Sequence, residues 1–269
     1  MHRNPKLCIY CGKPGVKKEH FWGKWSRKHA PVEIPSNQES AKLIRNEHRI
    51  IRYLDLNLAG RKSSKTGALD RPGLVRSQTL KIACSKCNNG WMKANVDAAI
   101  PVLKRLNYGY WGKITEYERN ALVKWIAQFT MSFEFADRET AMIPQEVRTQ
   151  FSETGELTGH WIIAIGSAIP VTGNEPVHHR GMVLIHEDGS TEPIQVTAFM
   201  FGMLFAVAIY SAFPTPDEML LTMSDMRLST IHPISNKSVE RPFWQHNEGT
   251  VLVVVDSVSD AFTAWADNQ

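Results

Sequence analysis

The sequence predicts an α+β protein in three parts: an N-terminal module built on cysteine pairs, a helical region, and a C-terminal domain of mainly antiparallel β-sheet. All four cysteines fall within residues 1–112, in two Cys-x2-Cys pairs. Apolar residues then recur at helical spacing as far as residue 151, and β-branched and aromatic runs separated by turns follow. We therefore predict two domains, residues 1–112 and residues 113–269.

The cysteines carry the strongest signal in the sequence. Residues 12 to 83, a span of 72, separate the first pair from the second. Two such pairs are typical of a tetrahedral zinc site, and four thiolates leave no open coordination position, so we expect a structural Zn²⁺. No secretory signal precedes the first pair, which favours a cytoplasmic location where thiols stay reduced. The ligands would be Cys8, Cys11, Cys84 and Cys87.

The charge is distributed unevenly between the two predicted domains. Residues 1–112 contain 22 Lys and Arg against 7 Asp and Glu, a net charge of +15, whereas residues 113–269 contain 9 against 20, a net charge of −11. A strongly positive domain attracts polyanions, so we expect a nucleic acid partner, DNA in the first instance. The candidate contacts are Lys24 and a basic loop with Arg61, Lys62 and Lys65.

Strands and a helix are predicted around the cysteine pairs. Residues 16–25 alternate charge with aromatic bulk, and residues 74–83 form a second strand that leads into Cys84. Apolar residues then recur every three or four positions. A helix is therefore expected to begin just after Cys87, with Asn88 or Asn89 near its N-cap and Pro101 kinking or restarting it.

Beyond residue 112 the pattern predicts two more helices and then a sheet. A Thr-x-x-Glu capping box at Thr115 opens a helix that reaches about Phe135, and a shorter helix covers residues 144–151. The predicted strands are residues 161–166, 181–186, 195–210 and 251–255. The uncharged stretch from Pro193 to Pro216 is long enough to cross a bilayer, but polar residues interrupt it and its flanks are acidic. We interpret it as buried core and expect no membrane partner.

A closed zinc site does not catalyse, so any chemistry must come from residues beside it. Glu19 and His20 follow the first pair and combine a carboxylate ligand for a hard divalent cation with an imidazole suited to deprotonate water. Asn88, directly after the second pair, offers a side-chain oxygen to the same cation. If both knuckles bind one zinc ion, these three residues come together.

This combination resembles the HNH endonucleases, a family with a ββα-metal fold. The matching features are Cys-x2-Cys, a following Glu-His, and a distant Cys-x2-Cys-Asn that opens a helix; the string from Cys84 to Met92, CSKCNNGWM, is similar to members from bacteria and phages. The resemblance covers about residues 5–106. It implies that Glu19 and Asn88 bind a catalytic Mg²⁺ or Mn²⁺ and that His20 is the general base.

The sequence departs from that family at one position. The Asn that lies about five residues before the second pair is replaced by Gln78 and Thr79; Gln78 offers the same amide chemistry, and Asn57 is a more distant alternative. The first hypothesis is therefore a metal-dependent endonuclease that hydrolyses DNA, with residues 113–269 as a substrate-selecting domain, a self-associating domain or a domain that binds a regulatory protein. The second is a non-catalytic zinc module that binds nucleic acid or protein. A third is that the acidic half mimics nucleic acid and shields the basic half.

Overall fold

The computed structural model describes residues 7–20, 25–26, 53–54, 79–136, 138, 141–168, 177–185, 191–215, 217–233, 245–246 and 248–266. Within them the fold is α+β, with helices packed on a largely antiparallel sheet and the four cysteines near the N-terminus. The N-terminal part contains a two-stranded sheet of β1 (Val16–His20) and β3 (Thr79–Cys84), which pair antiparallel. The short strand β2 (Tyr53–Leu54) instead joins the large sheet.

The chain turns helical directly after β3. A short turn (Ser85–Cys87) and a π-helical turn (Asn88–Met92) lead into α1 (Lys93–Asn107). The helix was predicted to begin just after Cys87. A short helical turn already forms at Ser85–Cys87 with Cys84 as its N-cap residue, and the non-helical Gly90 separates it from α1. The helix also continues through Pro101, where a kink or restart was predicted.

Two further helices agree with the sequence pattern. Helix α2 (Glu116–Phe133) has Thr115 as its N-cap with both hydrogen bonds of the capping box, as predicted. A 3-10 turn (Glu134–Ala136) follows, and then α3 (Gln145–Thr154), which ends at Gly155 in the left-handed conformation.

The large sheet has the order β2-β5-β6-β7-β4-β8 among the described residues, with β9 also pairing with β4. Its remaining strands are β4 (His160–Ala168), β5 (Val177–Ile185), β6 (Thr191–Phe201), β7 (Leu204–Ser211), β8 (Ser229–His232) and β9 (Gln245–His246). The run predicted as one strand over 195–210 is a hairpin, since Gly202 has φ +55° and begins a two-residue turn between Phe201 and Leu204. All of its residues except Met203 are buried, as expected of core.

Helices cover both faces of the sheet. One face packs on α1, α2 and the cysteine region, and the other on α4 (Asp217–Asp225) and α5 (Glu248–Ala266). The predicted strand at residues 251–255 is wrong, because these valines belong to α5. Val254, Val255, Val258 and Phe262 are buried at helical spacing, and contact with the sheet outweighs the β preference of valine. No described helix is both long and apolar enough to cross a membrane.

One apolar core connects the cysteine region with the sheet. It includes Tyr10 beside the cysteines, Leu103 on α1, Leu122 on α2 and Phe199 on β6. Helices α1 and α2, which lie on either side of residue 112, pack against each other. The division into domains at that residue stays a prediction, and the two parts share buried contacts across it.

Candidate metal centre and adjoining pocket

The four cysteine thiols form a cluster that could hold a metal ion such as zinc. Their Sγ atoms all lie within 4.8 Å of one another, and the Sγ atoms of Cys11 and Cys84 are 3.6 Å apart. Tetrahedral Zn–S bonds of about 2.3 Å place two sulfur ligands roughly 3.8 Å apart, so the spacing fits. All four are free cysteines, three of them buried, which suits a closed structural site.

Two knuckles build this cluster from opposite ends of the N-terminal part. In the first, the backbone N–H of Gly12 donates to the Cys8 carbonyl at 3.0 Å and that of Cys8 donates to the Lys13 carbonyl at 2.8 Å. The second starts where β3 ends. The two are joined because the N–H of Ile9 donates to the carbonyl of Ile82 on β3 at 2.9 Å.

The thiols differ in how readily they ionise. Burial opposes ionisation of Cys84, but hydrogen bonds from the backbone N–H of Cys87 and from the neighbouring thiols lower its pKa to about 7. Burial raises the pKa of Cys11 and of Cys87. Metal binding must therefore release protons from the cluster, and affinity for zinc falls as pH is lowered.

Glu19, at the end of β1, meets Asn88 at the start of the π-helical turn. Burial raises the pKa of the Glu19 carboxyl, while the hydrogen bond from the Asn88 side chain and one from the His20 backbone oppose that increase. Gly90, two residues after Asn88, has non-helical angles of φ −93° and ψ −114°. The chain therefore kinks at Gly90, between the turn that carries Asn88 and helix α1.

His20 lines a pocket together with Glu19. The pocket has a volume of about 550 Å³ including its open mouth, and mostly apolar side chains from β3, α1 and α2 form its walls. His20 lies opposite Thr79 in the pairing of β1 with β3, and Glu19 lies opposite Leu80. The lining residues are Glu19, His20, Trp25, Leu80, Ile82, Met92, Val96, Trp125, Gln128, Phe129 and Ser132.

The structure thus brings some of the predicted residues together. Glu19 touches Asn88, and Glu19 and His20 share the pocket. The other predicted contacts lie outside the described residues, namely Gln78, Asn57, Lys24, Arg61, Lys62 and Lys65.

Sequence reasoning missed the contribution of α2 to this pocket. Gln128 and Ser132 lie there, and both belong to the part beyond residue 112. A signal was present, because Gln128 interrupts the apolar stripe that includes Trp125 and Phe129.

Comparisons with known proteins leave the family undetermined. No family model matches the chain, and searches of curated proteins and of solved structures gave no match either.

Proposed function

We propose that the protein is a metal-dependent endonuclease of the HNH type that hydrolyses DNA phosphodiester bonds. One observation carries the proposal, the hydrogen bond between Glu19 and Asn88. His20 is the next residue along the same strand, β1, which pairs with β3. The four cysteines hold these two strands and the following helix together. The net charge of +15 on residues 1–112 supports a polyanionic substrate.

Each residue then has a distinct role. The Glu19 carboxylate and the Asn88 amide oxygen would hold Mg²⁺ or Mn²⁺, and Zn²⁺ on the cysteines would fix the two knuckles. The bound divalent ion would stabilise negative charge on the scissile phosphate and on the leaving oxygen. The His20 imidazole accepts a proton from the water that attacks phosphorus, and Gln78 would orient that imidazole.

A nicking assay tests the proposal. The zinc-loaded protein should convert supercoiled plasmid to the open circle with Mg²⁺ or Mn²⁺, and His20→Ala should abolish this while zinc content and melting temperature stay unchanged. His160→Ala, which alters an exposed histidine at the start of β4, is the matched control. Parental activity in His20→Ala would show that His20 is not the base.

One observation favours a second function, a non-catalytic zinc module. The Glu19 carboxyl has a raised pKa and already accepts a hydrogen bond from Asn88, so this pair is satisfied without a cation. Titration with Mn²⁺ separates the two functions. The endonuclease requires a divalent site in addition to zinc that Glu19→Ala removes, whereas the non-catalytic module binds zinc alone.

A further inference from the structure

Gln128 is a buried amide in the wall of the pocket that holds Glu19 and His20. Its side chain is on the same face of α2 as Trp125, Phe129 and Ser132, which also line the pocket. Only 7% of Gln128 is exposed. A buried amide is costly unless its polar atoms find partners, so its hydrogen bonds indicate what the pocket can bind.

The two ends of the Gln128 amide differ. Its Oε1 accepts a hydrogen bond from Asn95 Nδ2 at 3.3 Å. The structure records no acceptor for its Nε2 among the described residues. Within the described part of the chain, the amide therefore has N–H donors without a partner at the pocket wall, and a group that accepts hydrogen bonds, such as a phosphate oxygen, complements them.

The cysteine region holds this part of α2 in place. The Tyr10 hydroxyl, between Cys8 and Cys11 in the sequence, donates to the backbone carbonyl of Gln128 at 3.3 Å and lies 2.8 Å from Ser132 Oγ. The same knuckle that supports Glu19 through β3 thus also fixes the turn of α2 that carries Gln128.

We propose that Gln128 donates its Nε2–H to a phosphate oxygen of the DNA strand bound beside Glu19 and His20. This inference rests on the proposed endonuclease function and extends it, because a residue beyond 112 then completes the active centre. Residues 113–269 would be part of the substrate site, rather than only a regulatory or self-associating domain.

Steady-state cleavage kinetics of Gln128→Ala and Gln128→Glu test the proposal. The glutamate variant keeps the shape and the acceptor for Asn95 and has no donor when ionised, but its negative charge also repels phosphate, so a loss in this variant counts only together with a loss in the neutral alanine variant. We expect kcat/KM to fall at least about tenfold in both variants, mainly through KM, because the lost contact binds substrate in the ground state as well. Thr130→Val, a buried residue of the same helix that does not line the pocket, should cleave like the parent.

The outcomes distinguish this inference from the function on which it rests. Parental kcat/KM in a folded, zinc-loaded Gln128→Glu protein, with His20→Ala inactive, overturns the role of Gln128 and leaves the endonuclease standing. A parent protein that does not cut DNA overturns both. If Gln128→Ala loses zinc or melts early, Gln128→Met, which keeps the length of the side chain without a donor or a charge, takes its place.

Discussion

Arg148→Met should destabilise the protein strongly, because it leaves the buried Glu134 carboxyl group without its cationic partner. Arg148 Nη1 lies 3.0 Å from Glu134 Oε1, and the side chains of the two residues are 7% and 0% exposed. Removing one partner of a buried ion pair costs about 3–5 kcal/mol when the remaining group stays ionised, because its charge then has no compensation, and protonation of Glu134 reduces this cost. The substitution also removes the hydrogen bond from Arg148 Nε to the Ile9 carbonyl at 3.1 Å, next to the first cysteine.

The size of this loss should depend on pH in a defined direction. Burial raises the pKa of Glu134 from 4.5 to about 7, even though Arg148 and the backbone N–H groups of Ile143 and Met142 oppose the increase. A raised carboxyl pKa means that the folded state holds the proton more tightly, so stability from this group declines as pH rises from about 4.5 to 7. Without Arg148 the pKa rises further and the decline continues above pH 7.

The deficit of Arg148→Met relative to the parent should therefore widen as pH rises above about 7, by at most about 1.36 kcal/mol per pH unit. Urea unfolding of zinc-saturated protein at several pH values measures it. Arg138→Met is the matched control, because Arg138 also lies over the Phe135 ring, at 5.8 Å against 4.7 Å for Arg148, but is exposed. It should change stability little at any pH.

A second substitution checks the cause. In the Arg148→Met background, Glu134→Gln removes the uncompensated charge and should recover part of the lost stability, although each change alone is destabilising. The reasoning fails if the two losses simply add, or if the Arg148→Met deficit is constant across this pH range.

Three further outcomes follow from the fold. Gly202→Ala should lower the free energy of unfolding in urea by more than about 2 kcal/mol, because the new Cβ would lie 1.5 Å from Asn107 Oδ1 at a residue with φ +55°. Gly112→Ala is the control and should be close to neutral, because Gly112 is not in the left-handed region. Thr115→Ala should cost about 1 kcal/mol, since Thr115 Oγ1 accepts from the Glu118 N–H and caps α2; Thr115→Ser should retain that stability. Metal analysis should find one zinc ion per chain, and a strong chelator should lower the melting temperature; a chain that purifies without zinc and ignores chelator contradicts the assignment.

Local signals in the sequence were sufficient for the elements that depend on local chemistry. The cysteine spacing predicted the cluster, and Thr115 with Glu118 predicted the start of α2, because each signal concerns residues that interact with near neighbours or with one ion. The prediction of a strand at residues 251–255 was wrong because their structure depends on distant contacts. Their valines favour a strand in isolation, and only the apolar surface of the sheet makes a helix the better way to bury them.

The pocket could be predicted only in part. Glu19 and His20 follow the first cysteine pair and Asn88 follows the second, so the expectation that both pairs bind one metal ion was enough to infer that they lie near one another. Gln128 could not be placed, because its approach depends on how α2 packs against α1 and Tyr10, contacts between residues more than 30 positions apart. A polar residue on an apolar helix face indicates that it has a buried polar contact, but the sequence does not show which residue makes that contact.

The contacts across residue 112 also change how the acidic half should be tested. Deleting residues 113–269 would remove Gln145 and Thr149, whose side chains donate to the Tyr10 carbonyl at 3.2 and 2.7 Å, together with Arg148 on the Ile9 carbonyl. The first cysteine knuckle would lose its support, and any change in DNA affinity would combine the loss of shielding with damage to the cysteine cluster. Neutralising exposed carboxylates in the intact chain tests the shielding effect without damaging the first cysteine knuckle. If the acidic half shields the basic half, Glu116→Gln with Glu153→Gln raises DNA affinity at low salt without loss of zinc, and the gain shrinks as salt screens the charges.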